Sequence, residues 1–402
     1  MSSHRKAAPV RHPIMTNTFK INLVLALATV VLIGWRFYVG LGPSTGMTDV
    51  HPWGVWKLFN VIVLTALASG GYAVALLVYV LNRGHYHSLV RHALLTSAVG
   101  YTMAILALGI DVGSPWNFWK VLFWSWEWNS NSVLLEVAIC ISVYVPVLWA
   151  ELSPAFMERW KDRTDILGSI SRTMLPHMEK ILIWVIGLGI VLPTMHQSSL
   201  GTMYILAGDK VHPYWQTPWL PLFFLLSCWV MGYAAVITTY ILISKTYSRK
   251  TEDNVLLSLA HVMSYVIAAF LITRILDLVY RGQISGLLTS DHHNWYLAAE
   301  WLLMLGGAIW LHAIKTPKLG VLFRSGIFVM LGAMLYRTSA VWLGYHPLVG
   351  GIYMPSVPEL MVTIGFIAMQ ILVYLYVIKT VPILDAETYR PGLGKPMPRP
   401  TR

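Results

Sequence analysis

Apolar residues occur in ten long stretches separated by short polar connections. They fall near Ile21–Leu41, Val55–Leu81, Arg91–Ile110, Ser132–Ala150, Glu179–Met195, Trp219–Ile243, Val255–Tyr280, Trp295–Ile314, Val321–Leu343 and Leu360–Ile378. Each is long enough to cross a hydrocarbon core of about 30 Å, which takes roughly 20 helical residues. Strand-like alternation is absent from them, and lipid does not tolerate exposed backbone, so they are expected to be helices. The pattern predicts an all-α polytopic membrane protein with about ten transmembrane helices.

Composition supports that expectation. Of 402 residues, 56 % are hydrophobic and 12 % charged, with mean hydropathy +0.60. A soluble domain carries about 25 % charged residues, so a disordered chain and a soluble enzyme are both excluded. The 18 Trp and 20 Tyr suit aromatic belts at two membrane interfaces. The two cysteines, Cys140 and Cys228, lie in apolar runs and form no CxxC. They offer no disulfide framework and cannot ligate an iron–sulfur cluster by themselves.

The net charge of +11 is unevenly placed. Of 29 Lys and Arg, only Arg36, Lys57, Lys120, Lys210, Arg274, Arg281 and Arg337 fall in one set of alternating segments, and the rest in the other. By the positive-inside rule both termini are expected in the cytoplasm. The basic excess is thereby a topology signal, and nucleic acid is not an expected partner.

The first stretch is too long for a signal-peptide core and lacks a small-residue cleavage site, so it reads as a retained helix. The organisation expected is a cytoplasmic segment 1–20, a membrane domain 21–382 and a flexible Pro/Gly/Arg-rich tail 383–402. Arg159–Pro176 reads as the longest cytoplasmic loop, carrying a solvated surface helix. His51-Pro52-Trp53 and His212-Pro213-Tyr214-Trp215 precede the second and sixth stretches. That echo suggests two four-helix bundles, approximately 55–196 and 219–343.

Ionisable groups inside spans are costly and mark candidate functional positions. Most gather toward the extracytoplasmic ends: His51, Lys57, Asp111, Glu136, His196, Arg274, Asp277, Arg281, Glu300, Arg337 and Glu359. Arg274 and Asp277 are spaced for a local ion pair. Arg337 and Glu300 could pair similarly, and Lys57 and Arg36 could snorkel. Glu136 has no basic residue within a turn on its own span, so it and Tyr101 are candidates for a proton route. His196 sits in Pro193-Thr194-Met195-His196-Gln197-Ser198-Ser199, a polar cluster where Pro193 is expected to end the helix. An imidazole there could donate to a quinone carbonyl or simply cap a helix end. Haem b needs facing histidines at similar depth, and His92, His177, His261 and His312 cluster at the other end from His196. Gly70-Gly71 permits close helix packing or the approach of a flat ring.

Several of these motifs resemble the NrfD/PsrC membrane subunits. They are His51-Pro52-Trp53-Gly54-Val55-Trp56, Gly70-Gly71, Tyr79 to His87, Asp111-Val112-Gly113, Asn131 to Glu136, Leu192 to Ser199 and Lys210 to Pro213. The chain is most similar to the HybB-type branch serving nickel–iron hydrogenases, and DsrP-type subunits are comparable. The resemblance implies ten helices, two four-helix bundles and no haem or iron–sulfur cluster in this chain. It implies a menaquinone or ubiquinone site near the extracytoplasmic side, with His51, Trp53, Gly54, Asp111, His196 and Gln197 around the headgroup. Tyr101 and Glu136 would belong to a proton route. A ferredoxin-like [4Fe-4S] partner on that face is implied, with further catalytic or cytochrome subunits, in a bacterial or archaeal cytoplasmic membrane. Asn60 stands where the family often has an acid, and Thr238 and Thr239 where hydrogenase relatives can carry a carboxylate. These departures bear on proton translocation rather than on quinone binding. A secondary transporter and a pure membrane anchor remain open as alternatives.

Overall fold

A computed structural model describes residues 7–10, 12–51, 53–289, 291–312, 316–346 and 353–384. Among these, no strand forms beyond isolated bridges, and ten long helices follow the expected order. They are α1 (Asn17–Val39), α2 (Val55–Val80), α3 (Gly84–Asp111), α4 (Val133–Trp160), α5 (Ile166–Ile205), α6 (Leu220–Thr246), α7 (Asp253–Tyr280), α8 (His293–His312), α9 (Leu319–Leu343) and α10 (Val357–Thr380). Among the described residues, all but α8 are long and apolar enough to span a membrane. Its 20 residues include His293, Asn294, Glu300 and His312, which dilute its apolar character. Most of the expected tail lies outside the described residues.

The first and last described segments meet at one end of the molecule. Ala8 N–H donates to Leu384 O at 2.8 Å, Val10 N–H to Ile378 O at 2.9 Å, and the Lys379 ammonium to Pro13 O at 2.8 Å. The segment 40–54 therefore lies at the opposite end, called here the far end. α1 packs on α10 and is largely exposed along its length, as a lipid-facing helix is. The far-end connection 112–132 exposes Trp116, Trp119, Trp124, Trp126 and Trp128, the amphipathic rings favoured at a water–lipid boundary.

Two expectations are corrected by α4 and α5. The anticipated loop Arg159–Pro176 shrinks to residues 161–165, because helix resumes at Ile166 under a cap from Asp165 to Gly168 N–H. The helix also does not end at Pro193; it runs unbroken through Pro193 to Ile205, 40 residues in all. At 1.5 Å per residue it is about 60 Å long, twice a hydrocarbon core. Proline removes one intrahelical bond, and surrounding helices make such a loss tolerable within a membrane. His196, Gln197 and Ser199 are buried mid-helix instead of capping an end.

The second helix is irregular. Leu58–Val63 and Leu76–Val80 take the wider π pitch, and Ala68–Ser69 form a turn between them. Such bulges shift the hydrogen-bond ladder and recur at functional sites. The Gly70-Gly71 pair resolves to close packing. A Cβ on Gly70 would stand 2.5 Å from Val236 Cγ2 and 3.1 Å from Gly232 O, so only hydrogen lets α2 and α6 approach. Gly70→Leu is expected to separate these helices and lower the unfolding temperature in detergent by several degrees. Differential scanning fluorimetry of the purified protein checks this; an unchanged midpoint would refute the close-packing role.

Candidate functional site

At the far end the segment before α2 folds back onto the start of α10, and one carboxylate holds the two together. Ser356 and Glu359 form a reciprocal capping box at the α10 N-terminus. Glu359 Oε2 also accepts from Gly46 N–H at 2.7 Å, and Oε1 accepts from the Tyr353 hydroxyl at 2.7 Å. Trp56 Nε1–H donates to the Glu359 carbonyl at 2.9 Å, and Val55 N–H donates to Tyr353 Oη at 2.7 Å. Gly54 lies buried against Glu359 Oε1, where a Cβ would collide. Burial, and then the hydrogen bond to Glu359, keep the Tyr353 phenol above the usual tyrosine range.

Beside this knot opens a cavity of about 250 Å³. Its walls are mainly aromatic and aliphatic: Trp53, Leu58, Met203, Tyr204, Trp342 and Tyr345, with His51 and Tyr353 as polar groups. Trp53 meets Tyr204 edge-on at 6.0 Å between centroids, and Trp342 meets Tyr353 at 5.9 Å. The His51 ring stacks on Tyr353 at 6.3 Å, while Thr48 Oγ1 lies 3.4 Å from its Nδ1. A slot of this kind suits a flat, largely apolar ring that carries polar atoms at one edge.

The sequence-derived candidates separate into two layers. His51 and Trp53 line the cavity, and Gly54 supports it from behind. Asp111 is buried and ion-paired with Lys57 Nζ at 2.8 Å; that ammonium also lies 5.5 Å from the Trp53 ring. Lys57 is thus held by a partner instead of snorkelling. Arg36 likewise donates to Val112 O at 2.7 Å. Glu136 lies in the first turn of α4, partly exposed, two residues after the cavity-lining Leu134.

His196, Gln197 and Tyr101 form a second, deeper layer. His196 precedes the cavity residue Met203 by seven positions, about 10 Å along the α5 axis. It is fully buried with neither ring nitrogen hydrogen-bonded among the described residues, and its ring meets that of Tyr101 at 5.9 Å. Tyr101 in turn meets Tyr144 at 4.7 Å, and the Tyr144 hydroxyl also lacks a described partner. Gln197 donates from Nε2 to Thr65 Oγ1 and Tyr101 Oη, each at 3.1 Å.

Arg337 locks this layer. It donates to Gln197 Oε1 at 2.8 Å, Ile62 O at 2.7 Å, Phe224 O at 2.5 Å and Ser227 Oγ at 3.1 Å. The expected pairing of Arg337 with Glu300 does not form. Glu300 instead accepts from Trp215 Nε1–H at 3.0 Å. The expected Arg274–Asp277 pair is present at 3.7 Å, and Arg281 binds the same carboxylate at 2.7 Å.

The residues missed from sequence are the cavity aromatics Tyr204, Trp342, Tyr345 and Tyr353. Their signal was weak: Trp342 and Tyr345 follow an intramembrane arginine by five and eight positions. The histidines considered for haem offer no matched pair. His92 has Nε2 on Thr239 and Nδ1 on Tyr374, and the half-buried His261 stacks with His312, whose Nε2 is on Ser264.

A family model described as polysulphide reductase, NrfD, matches residues 43–347. The probable Ni/Fe-hydrogenase 2 b-type cytochrome subunit of Escherichia coli K12 is 37 % identical over 366 residues, 90 % of each chain. The menaquinone reductase integral membrane subunit of Nitratidesulfovibrio vulgaris Hildenborough is 30 % identical over 232 residues, 55 % of this chain and 53 % of that one. The C component of the polysulfide reductase of Wolinella succinogenes is 22 % identical over 312 residues, 74 % of this sequence and 93 % of that one.

Arg337→Met is expected to leave Gln197 Oε1 unpaired and to take a donor from Ile62 O, Phe224 O and Ser227 Oγ together. Each buried unpaired group costs about 1–3 kcal/mol, so the variant should fail to accumulate or unfold well below the parent. Membrane yield and thermal unfolding measure it; wild-type stability would contradict the locking role.

Proposed function

The chain belongs to the NrfD family, and we propose from that premise that it is the quinone-reactive membrane subunit of a multi-subunit respiratory oxidoreductase. It would exchange electrons between a [4Fe-4S] cluster of an extracytoplasmic ferredoxin-like partner and the quinone pool. The observation carrying this reading is the aromatic-walled cavity at the far end. The relatives named as menaquinone reductase, polysulfide reductase and hydrogenase subunits support it.

The lining fits a quinone headgroup. Trp53, Tyr204 and Trp342 provide ring faces, and Leu58 and Met203 extend the apolar wall toward an isoprenoid tail. Bound quinone supplies a carrier of two electrons and two protons. The chain's part is to bind it, exclude water and manage protons. His51 is the titratable cavity group best placed to exchange a proton at a ring oxygen. The Tyr353 proton is engaged by Glu359, so that phenol acts mainly as wall and anchor. His196, Tyr101 and Tyr144 are proposed to hold protons or water below the cavity, with Glu136 near its rim. Cys140 and Cys228 form no cluster-binding motif, and electrons are proposed to come from a partner. One relative is named a b-type cytochrome subunit; in this chain both ring nitrogens of His92 are engaged, by Thr239 and Tyr374.

A far-end cavity, as opposed to a midplane substrate site, disfavours the transporter alternative. The test is to purify the native complex in mild detergent, extract its quinone and identify copurifying subunits by mass spectrometry. Bound quinone with an iron–sulfur partner is expected. Trp53→Ala and Tyr204→Ala should each reduce quinone retention at least about tenfold, the loss of roughly 1.4 kcal/mol of binding. His196→Ala should slow turnover while retaining quinone and assembly. A complex that carries no quinone and ignores quinone-site inhibitors would support the anchor alternative.

A further inference from the structure

Three far-end segments bring together histidines and a carboxylate that the quinone reading does not use. His212 follows α5, Asp291 and His293 open α8, and His346 follows α9. Backbone pairing joins the first and last segments. Val211 and Tyr345 form an antiparallel bridge, His212 N–H donates to Gly344 O at 2.7 Å, and His346 N–H donates to Lys210 O at 2.6 Å. Asp291 is fixed at the start of α8 by accepting the His293 backbone N–H at 2.9 Å. The cluster is thus positioned by main-chain contacts on every segment.

Ring chemistry sharpens the picture. Tyr214 N–H donates to His212 Nδ1 at 3.2 Å, which commits that lone pair. Nε2 is then the nitrogen that carries a proton or a cation, and it stands 3.0 Å from Asp291 Oδ2. His293 Nδ1 lies 2.7 Å from Asp291 Oδ1, and His293 Nε2 faces His346 Nε2 at 2.9 Å. Two imidazole nitrogens held face to face share one proton, so His346 orients the His293 ring from the side away from Asp291. Ligating atoms of His212, Asp291 and His293 all lie within 4.8 Å of one another. His293 is buried and the other two are partly buried, so their side chains are held, while the exposed His346 leaves a path from solvent.

We propose that His212 Nε2, Asp291 and His293 Nδ1 form a site for one divalent transition-metal cation of the zinc class, with His346 holding the other nitrogen of the His293 ring. Imidazole and carboxylate donors suit that class, and three protein ligands leave the fourth tetrahedral position to solvent. The cation replaces the Nε2 proton of His212 and joins two connections that the chain otherwise ties only by hydrogen bonds. The bound cation pins the far-end surface beside Trp215, whose indole reaches the buried Glu300.

The full chain, purified without a histidine tag and stripped with a chelator, is titrated with Co²⁺ and then Zn²⁺. One equivalent of Co²⁺ with the visible bands of a four-coordinate N/O site is expected, displaced by one equivalent of Zn²⁺. Zn²⁺ should also raise the unfolding temperature. His212→Gln and Asp291→Asn should each weaken binding at least about tenfold and abolish the thermal shift. His177→Gln, on an exposed histidine near the opposite end of α5, should change neither. His346→Gln alters an exposed side chain, so it tests the site even if the buried-ligand variants fold poorly; it should weaken binding and alter the Co²⁺ spectrum. Absence of stoichiometric binding, or binding unchanged in His346→Gln and His212→Gln, overturns the proposal.

Discussion

Burying the Arg337 guanidinium imposes the constraint around which the membrane interior is arranged. A cation in that setting is tolerated only when its donors are satisfied. Here the acceptors come from α2, α5 and α6: Ile62 O, Gln197 Oε1, Phe224 O and Ser227 Oγ. Ile62 lies in a π-helical stretch, where the altered ladder suits a carbonyl that bonds outside its own helix. Phe224 also places its ring 4.7 Å from the guanidinium carbon. Four helices therefore share one charge, and none can shift without breaking a charge-assisted bond.

That lock fixes Gln197, and Gln197 fixes Tyr101 and Thr65 in turn. Because α5 continues for two more turns toward the far end, the same rigid rod carries Met203 and Tyr204 into the cavity wall. Glu359 performs the corresponding task above, tying the segment that bears His51 and Trp53 to α10. The deeper polar layer and the aromatic cavity are thus two depths on one scaffold. A carrier bound above and protons held below can be positioned relative to each other without a mobile element.

The all-α architecture was legible because hydrophobic length is read directly as span length. Both ends of α5 were not. At the first, the mixed charges after Trp160 read as a surface helix within a long loop; they stay exposed, and the cap from Asp165 starts the helix at Ile166. At the second, Pro193 with its polar neighbours looked like a stop, and burial of His196, Gln197 and Ser199 carries the helix on. Among the site candidates, His51 and Trp53 were readable from a motif that opens a helix. Tyr204 and Tyr353 were not, since a tyrosine packed in a core and one lining a cavity look the same in sequence. The partner of Arg337 was misjudged because Glu300, the nearest formal countercharge by reckoning of depth, is engaged by Trp215. Neutral carbonyls supply what an ion pair was expected to supply.

The same distinction between charged and neutral partners bears on proton movement. Asn60 is fully buried with no hydrogen-bond partner for its amide among the described residues. Thr238 and Thr239 each turn back to the carbonyl four residues earlier, and Thr239 also meets His92. These three positions, where the resemblance implied carboxylates, offer hydrogen-bonding groups that do not titrate. The ionisable groups near the cavity, by contrast, include His51, the Lys57–Asp111 pair and Glu136, all toward the far end. A transmembrane relay needs titratable stations along its whole length, whereas local protonation of a carrier needs them only beside the cavity. The groups beside the cavity suit local proton exchange at the far end, while Glu151 on α4 and the buried His92 on α3 place titratable side chains farther along the membrane region.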